Sequence, residues 1–379
     1  MKILSLTAYV VRIPFRFSFK HALAERRRAD SVLLRVGLDN GAAGWGEAVP
    51  RAYLTGESVD SVLADLREWA AAARALDLPD GVSPLSALFP LYETADAARK
   101  TAAYAALELA VLDAVGTASG RPAREMLGLP ARAVKLTAPL GGGGVKSVRW
   151  LARVFKLLGF TDYKLKVGLR DNDAARLRAV REVIADRARF DLRIDANAAW
   201  DAALAGVRLR EFAQFGVSSC EQPVARAEDF PEVAARAGCP LMADESLCTR
   251  ADARRLLALG GGRAAGAAAL WNLRLAKNGG FNGLFALRDL ARDNGVAVHL
   301  GALVGETSLL TAAGRAAAGA AEFRHVEYGF PRILLRDDPF RGGAAGYFGT
   351  GEPASARPGW GVRLVPEALR RITVQTVEL

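Results

Sequence analysis

Two rhythms of apolar and polar positions divide the chain. Before about residue 128, apolar runs at Ile3–Ile13, Ser31–Gly37 and Ala43–Glu47 predict three strands. The "DNG" at Asp39–Gly41 predicts a hairpin turn between the second and third. Helical periodicity follows at Ser58–Ala73 and Ala95–Thr117; the second stretch is alanine-rich, with so wide an apolar face that burial is expected. From residue 129 short β-rich runs alternate with amphipathic stretches. The runs begin at Val134, Tyr163, Phe190, Val217, Pro240, Ala269, Val296 and Phe323, with helical patterns such as Ala174–Asp186, Asp201–Phe215 and Phe281–Asn294 between them. Eight strands, each followed by a helix or return, predict an α/β fold, a modified (β/α)8 barrel rather than an open sheet. The expected division is an α+β capping domain at 1–128, the barrel at 129–341, and a segment at 342–379. The closing "RRITVQTVEL" of that segment reads as a strand returning to the cap.

Polar residues fall at the predicted strand ends, where barrels carry their chemistry. Lys164 and Lys166, in "TDYKLKVG", alternate onto one face of a short strand, where two ammonium groups repel. Later strands end in Asp195 and Asn197, Glu221, Asp244 and Glu245, Arg274 and Lys277, His299, and Glu327. A lone Asp after a strand is usually a helix N-cap, but acids on three consecutive strands are hard to explain that way. Asp195, Glu221 and Asp244 lie 26 and 23 residues apart, about one βα unit each. Converging carboxylates repel unless a cation neutralises them, and hard oxygen ligands without His or Cys suit Mg²⁺.

The segments "KLKVG", "IDANAAW", "CEQPV", "MADES" and "AKNGG", with "GWGEAVP" at Gly44–Pro50, resemble the enolase superfamily, and within it the muconate-lactonising subgroup. The resemblance covers nearly the whole chain. It implies a cap over a modified barrel and one Mg²⁺, replaceable by Mn²⁺, on Asp195, Glu221 and Asp244. It also implies removal of a proton α to a carboxylate, with Lys166 as base and Lys164 beside it on the substrate carboxylate. A lysine, with a reference pKa of about 10.4, acts as a base near neutrality only when that value is lowered, as a second ammonium and a divalent cation would do. From their places at the strand ends Asn197, Glu245 and Glu327 are read as supporting polar groups, Glu245 holding a lysine in place, and His299 as either a catalytic or a ligand-contacting or structural residue.

One position departs from the pattern. The subgroup has a second catalytic lysine three residues before the lysine of "AKNGG", and here that residue is Arg274. Arginine is effectively always protonated and makes a poor base. The expected reaction is therefore a single-base syn elimination, like o-succinylbenzoate synthase, or a cycloisomerisation, with Arg274 as a fixed cation. The alternatives are a racemase or epimerase of amino-acid derivatives or dipeptides, and a silent acid-binding barrel. Lys277 is expected to be a structural charge. Specificity is assigned to cap loops, Phe17–Arg28 with Lys20 and His21, and Arg51–Ser58 with Arg51 and Tyr53.

Charge and composition refine this little. The formal net charge of +10 comes from arginines scattered among alanines, without a nucleic-acid motif, and suits an anionic small-molecule substrate. Cys220, Cys239 and Cys248 lack disulfide or zinc spacing. Neither a leader nor an apolar run of membrane-spanning length stands out, so a cytoplasmic enzyme is expected, and as a barrel, a homo-oligomer.

Overall fold

The structure is a computed structural model that describes all residues except 22–23, 262–266 and 343–347, with backbone only for 18–21 and 24–26. Strands Ile3–His21, Ala24–Leu38 and Ala43–Ala48 form an antiparallel meander, and the final strand, Thr373–Glu378, adds to its outer edge beside the first. The turn expected at Asp39–Gly41 is present, closed by Leu38 N–H to Ala42 C=O at 2.8 Å, with Gly41 at φ +85°. The first two strands run much further than their apolar cores. Phe17–Arg28, read from sequence as a cap loop, lies largely within these paired strands, because backbone pairing continues past the point where apolar alternation stops. The side chains of Lys20 and His21 fall outside the described residues.

Helix Thr101–Ala118 packs across this sheet and is buried on nearly every face. It is long and apolar enough by composition to cross a membrane, yet 89% of it is buried inside the protein. Its approach to the sheet depends on two glycines. A Cβ on Gly46 would stand 1.9 Å from the Ala106 carbonyl oxygen, and one on Gly44 2.1 Å from the Ala114 nitrogen. Gly46→Ala is therefore expected to destabilise the protein by about 3 kcal/mol, since backbone cannot yield as a side-chain tip can; thermal unfolding measures it. The helix read as Ala95–Thr117 is in fact two, Leu85–Ala98 and Thr101–Ala118. Arg99, left-handed at φ 57°, ends the first, and the buried Glu57 carboxylate accepts the Ala102 and Ala103 N–H groups that open the second.

Seven parallel strands curl into the barrel: Thr137–Leu140, Asp162–Lys166, Asp191–Asp195, Cys220–Glu221, Leu241–Ala243, Leu270–Leu273 and Ala297–Leu300. The eighth run shortens to a single bridge, Leu300 with Val326. It still closes the ring, because Leu300 N–H reaches His325 C=O and Thr137 N–H reaches Val326 C=O. Buried acids of the cap lock onto the barrel by capping its helices. Glu47 accepts from the backbone and hydroxyl of Thr307, ahead of helix Ser308–Ala317, and Glu108 accepts from Phe281 and Asn282 at the start of Gly280–Asp293. Burial pushes the Glu47 carboxyl up to about 8.

Candidate active site

Strand register assembles the site. Lys166 pairs with Asp195, Asp195 with Glu221, and Glu221 with Met242, so Lys166, Asp195 and Glu221 form a row at the C-terminal ends of strands two to four. The turns after two of these ends are strained. Asn197 (φ 43°), Ala198 (φ 59°) and Gln222 (φ 36°) are all left-handed without being glycine, and Ala198 N–H bonds to Gln222 C=O. This geometry lets Asn197 turn back, its own N–H on Asp195 Oδ1 and its side chain on Lys166.

The two lysines of the opening strand have different surroundings. Lys164 Nζ lies 3.0 Å from Glu221, 2.8 Å from Glu327 and 3.7 Å from Asp195. Burial opposes its charge, but Glu221, Glu327 and Asp195 outweigh burial and hold the ammonium above its ordinary range. Lys166, at the rim, donates to Asp195 Oδ2 at 3.1 Å and Asn197 Oδ1 at 2.5 Å. Asn197 in turn donates to Glu245 at 3.1 Å. Glu245 thus acts on Lys166 through Asn197 and not by direct contact. Burial first, then Asp244 and Asp195, push the Glu245 carboxyl up to about 8.

Opposite, at the end of strand six, Arg274 Nη2 bridges Glu221 Oε1, at 3.3 Å, and Asp244 Oδ2. Burial opposes this charge too, but Asp244 and Glu221 prevail and keep the guanidinium firmly protonated. Lys277 is fully buried and donates to the Asp244 carboxylate, the Asp244 carbonyl and the Asn272 carbonyl, each at 2.8 Å. It is structural, as expected, but it sits in the core beneath the site rather than in a loop. Arg51 is also buried, and its guanidinium donates to the carbonyls of Asp30, Pro50 and Val304. Through these bonds Arg51 joins the cap to the loop after strand seven. Tyr53 is partly exposed in the cap.

His299 is fully buried, with Nε2 3.4 Å from Glu327 but without hydrogen-bond geometry. Burial, then Arg193, pushes its imidazole from 6.5 down to about 4. Unfolding would let it take up a proton near 6.5. Its contribution to stability is complete above that pH and is lost as pH falls toward 4, by up to about 3 kcal/mol. Urea unfolding from pH 7 to 4.5 should show a shallower loss for His299→Gln than for the wild type.

Sequence reasoning missed several supporting groups. Arg193, at the interior of strand three, donates to Thr137 and, at 3.3 Å, to Glu327. Asn272 donates to Glu221 at 2.7 Å. Gln222 accepts from the backbone of Asp244 and Ser246, fixing strand four to strand five. The Asn in "WNLR" and the Gln in "CEQP", each placed at a strand end, were the available signals.

Asp195, Glu221 and Asp244 are each about 1% exposed and offer only hard oxygen donors, a set that suits a divalent cation such as Mg²⁺. Their present partners are Lys164, Lys166, Arg274 and Lys277. Among the described residues, the one trio of ligand side chains already within 4.8 Å of one another lies elsewhere: Asp162, Asp191 and His325. Asp162 and Asp191 open their strands, at the other end of the barrel from Lys166 and Asp195. Its His325 is nearly buried, and its imidazole is pushed well down by burial.

A parallel barrel carrying amines and carboxylates at its C-terminal strand ends defines a barrel enzyme. Residues 146–368 match the family described as "Enolase C-terminal domain-like". The chain belongs to that family and is an enolase-superfamily enzyme. It is 29% identical over 369 residues to L-Ala-D/L-Glu epimerase of Bacillus subtilis, covering 96% of this chain and 97% of that one. It is likewise 29% identical over 376 residues to chloromuconate cycloisomerase of Cupriavidus pinatubonensis, covering 96% of each. The solved dipeptide epimerase of Enterococcus faecalis, complexed with Mg and L-Leu-L-Tyr, superposes with a TM-score of 0.83 at 25% identity, covering 96% of this chain and 99% of that one.

Proposed function

We propose that this enzyme removes the proton α to the carboxylate of an N-acylated amino acid or dipeptide, with Lys166 as the base, and returns a proton to give the epimer. The observation that carries the chemistry is the pairing of a rim lysine, Lys166, oriented by Asp195 and Asn197, with an interior lysine, Lys164, kept charged by three acids. Two of the three relatives are epimerases, which favours this substrate class over the elimination or cycloisomerisation expected from Arg274 alone.

The substrate carboxylate would lie at the barrel mouth, where the Lys164 ammonium can donate to it. Lys166 Nζ takes the α-proton; the C–H bond breaks, an N–H bond forms, and the electron pair enters the carboxylate as an enediolate. A divalent cation held by Asp195, Glu221 and Asp244 would supply positive charge to the substrate carboxylate as that electron pair arrives. Inversion then needs a proton from the side of strand six, where Arg274 stands.

One observation favours a second reading. The Asp244 and Glu221 carboxylates hold the Arg274 guanidinium protonated, so it gives up a proton poorly. Lys166 acting alone would then support a syn elimination or cycloisomerisation. Incubation with Mg²⁺ and a panel of L,L-dipeptides and N-succinyl- and N-acetyl-L-amino acids, followed by chiral chromatography, separates the two. Epimer formation is expected. An eliminated or cyclised product without epimer supports the second reading, and unchanged substrate throughout contradicts the first.

A further inference from the structure

We propose that Arg274 and the divalent cation are alternative counter-ions for Glu221 and Asp244, so that the cation binds only when the guanidinium swings out from between them. This rests on the reading of Asp195, Glu221 and Asp244 as the cation's ligands.

Three observations carry it. First, a single nitrogen, Arg274 Nη2, bridges Glu221 Oε1 and Asp244 Oδ2, two of the three acids. A divalent ion on the same oxygens would meet a positive charge in direct contact. Second, the site is balanced without an ion. Asp195, Glu221, Asp244 and Glu327 face Lys164, Lys166, Arg193, Arg274 and Lys277, at least one cation for each carboxylate. Third, of the cations on Glu221 and Asp244, Arg274 is the one built to leave. Lys277 is fully buried and saturated by three acceptors, and Lys164 is held by three acids. Arg274 keeps about a tenth of its side chain exposed and has a buried Nε with no hydrogen-bond partner. That Nε faces Gly301, where a Cβ would stand 2.3 Å from Asn272 Oδ1 and 3.0 Å from the Nε, so the glycine leaves room for both side chains. Once released, the guanidinium stands at the mouth, free to pair with a carboxylate of the ligand.

Mn²⁺ binding to metal-stripped protein, by isothermal titration calorimetry and by electron paramagnetic resonance of free Mn²⁺, tests this without turnover. Arg274→Gln should bind Mn²⁺ about tenfold more tightly than the wild type, within the usual range of site-to-site coupling. Arg274→Lys, which keeps the charge, should stay within about threefold of the wild type. Asp244→Asn in the Arg274→Gln background should abolish the gain. Were Arg274→Gln unfolded without metal, Mn²⁺-dependent recovery of its far-UV circular dichroism would give the same constant. Equal or weaker binding by Arg274→Gln, with both proteins binding Mn²⁺, overturns the competition while leaving the ligand assignment standing. An equal gain in Arg274→Lys also overturns it, since shape and not charge would then be the cause. No binding by either protein overturns the ligand assignment and the competition together.

Discussion

Lys166→Ala is expected to lower α-proton exchange by roughly 10³-fold, in the middle of the range for loss of a positioned general base. The protein should fold normally, because Lys166 is at the rim and its side chain keeps 15% of its exposure. Lys164 cannot take over the role: Glu221, Glu327 and Asp195 hold its ammonium in place and charged. Lys166→Arg should be nearly as inactive, since a guanidinium does not give up its proton at neutral pH. Exchange rates in D₂O followed by mass spectrometry, with circular dichroism to confirm folding, measure both. A loss of only a few-fold in Lys166→Ala would remove Lys166 from the role of base.

Lys277→Met is expected to destabilise the metal-free protein by about 3–5 kcal/mol, although Lys277 touches no substrate. Lys277 is fully buried, and its three hydrogen bonds hold Asp244 from below. Methionine fills the space but leaves the Asp244 carboxylate with one counter-ion fewer in a site closed to water. Lys100, which pairs with Asp65 and Glu68 at the cap surface, is the contrasting case. Its replacement by alanine should cost about 1 kcal/mol or less. Urea unfolding in EDTA compares the two, and similar small costs would mean that Asp244 is stabilised from elsewhere.

The sequence made the barrel legible because each strand–helix repeat carries a short apolar run and an amphipathic partner. The candidate site was legible because its residues fall at the same point in successive repeats. Lys166, Asp195 and Glu221 do lie in one register row. What could not be read were contacts that cross between repeats or between cap and barrel. Arg51 resembles a substrate-binding arginine in sequence, and only the fold shows that it also donates to three backbone carbonyls, one of them 253 residues away. Glu47, Glu57 and Glu108 look like ordinary acids in apolar surroundings, and only the folded chain shows that each caps a helix. The left-handed turns at Asn197, Ala198 and Gln222 carry no glycine to announce them. Arg274 was visible as a departure from the family pattern, but its bridge between Glu221 and Asp244 required the position of strands four, five and six together.

The most direct test of the central claim is deuterium incorporation at the α-carbon. The enzyme would be incubated with Mg²⁺ and an L,L-dipeptide in D₂O, and recovered substrate and epimer would be separated on a chiral column and weighed by mass spectrometry. Abstraction by Lys166 predicts one deuteron at the α-carbon of the epimer, lost when EDTA is added or Lys166 is replaced. An epimer without deuterium, or exchange that persists in Lys166→Ala, would contradict it.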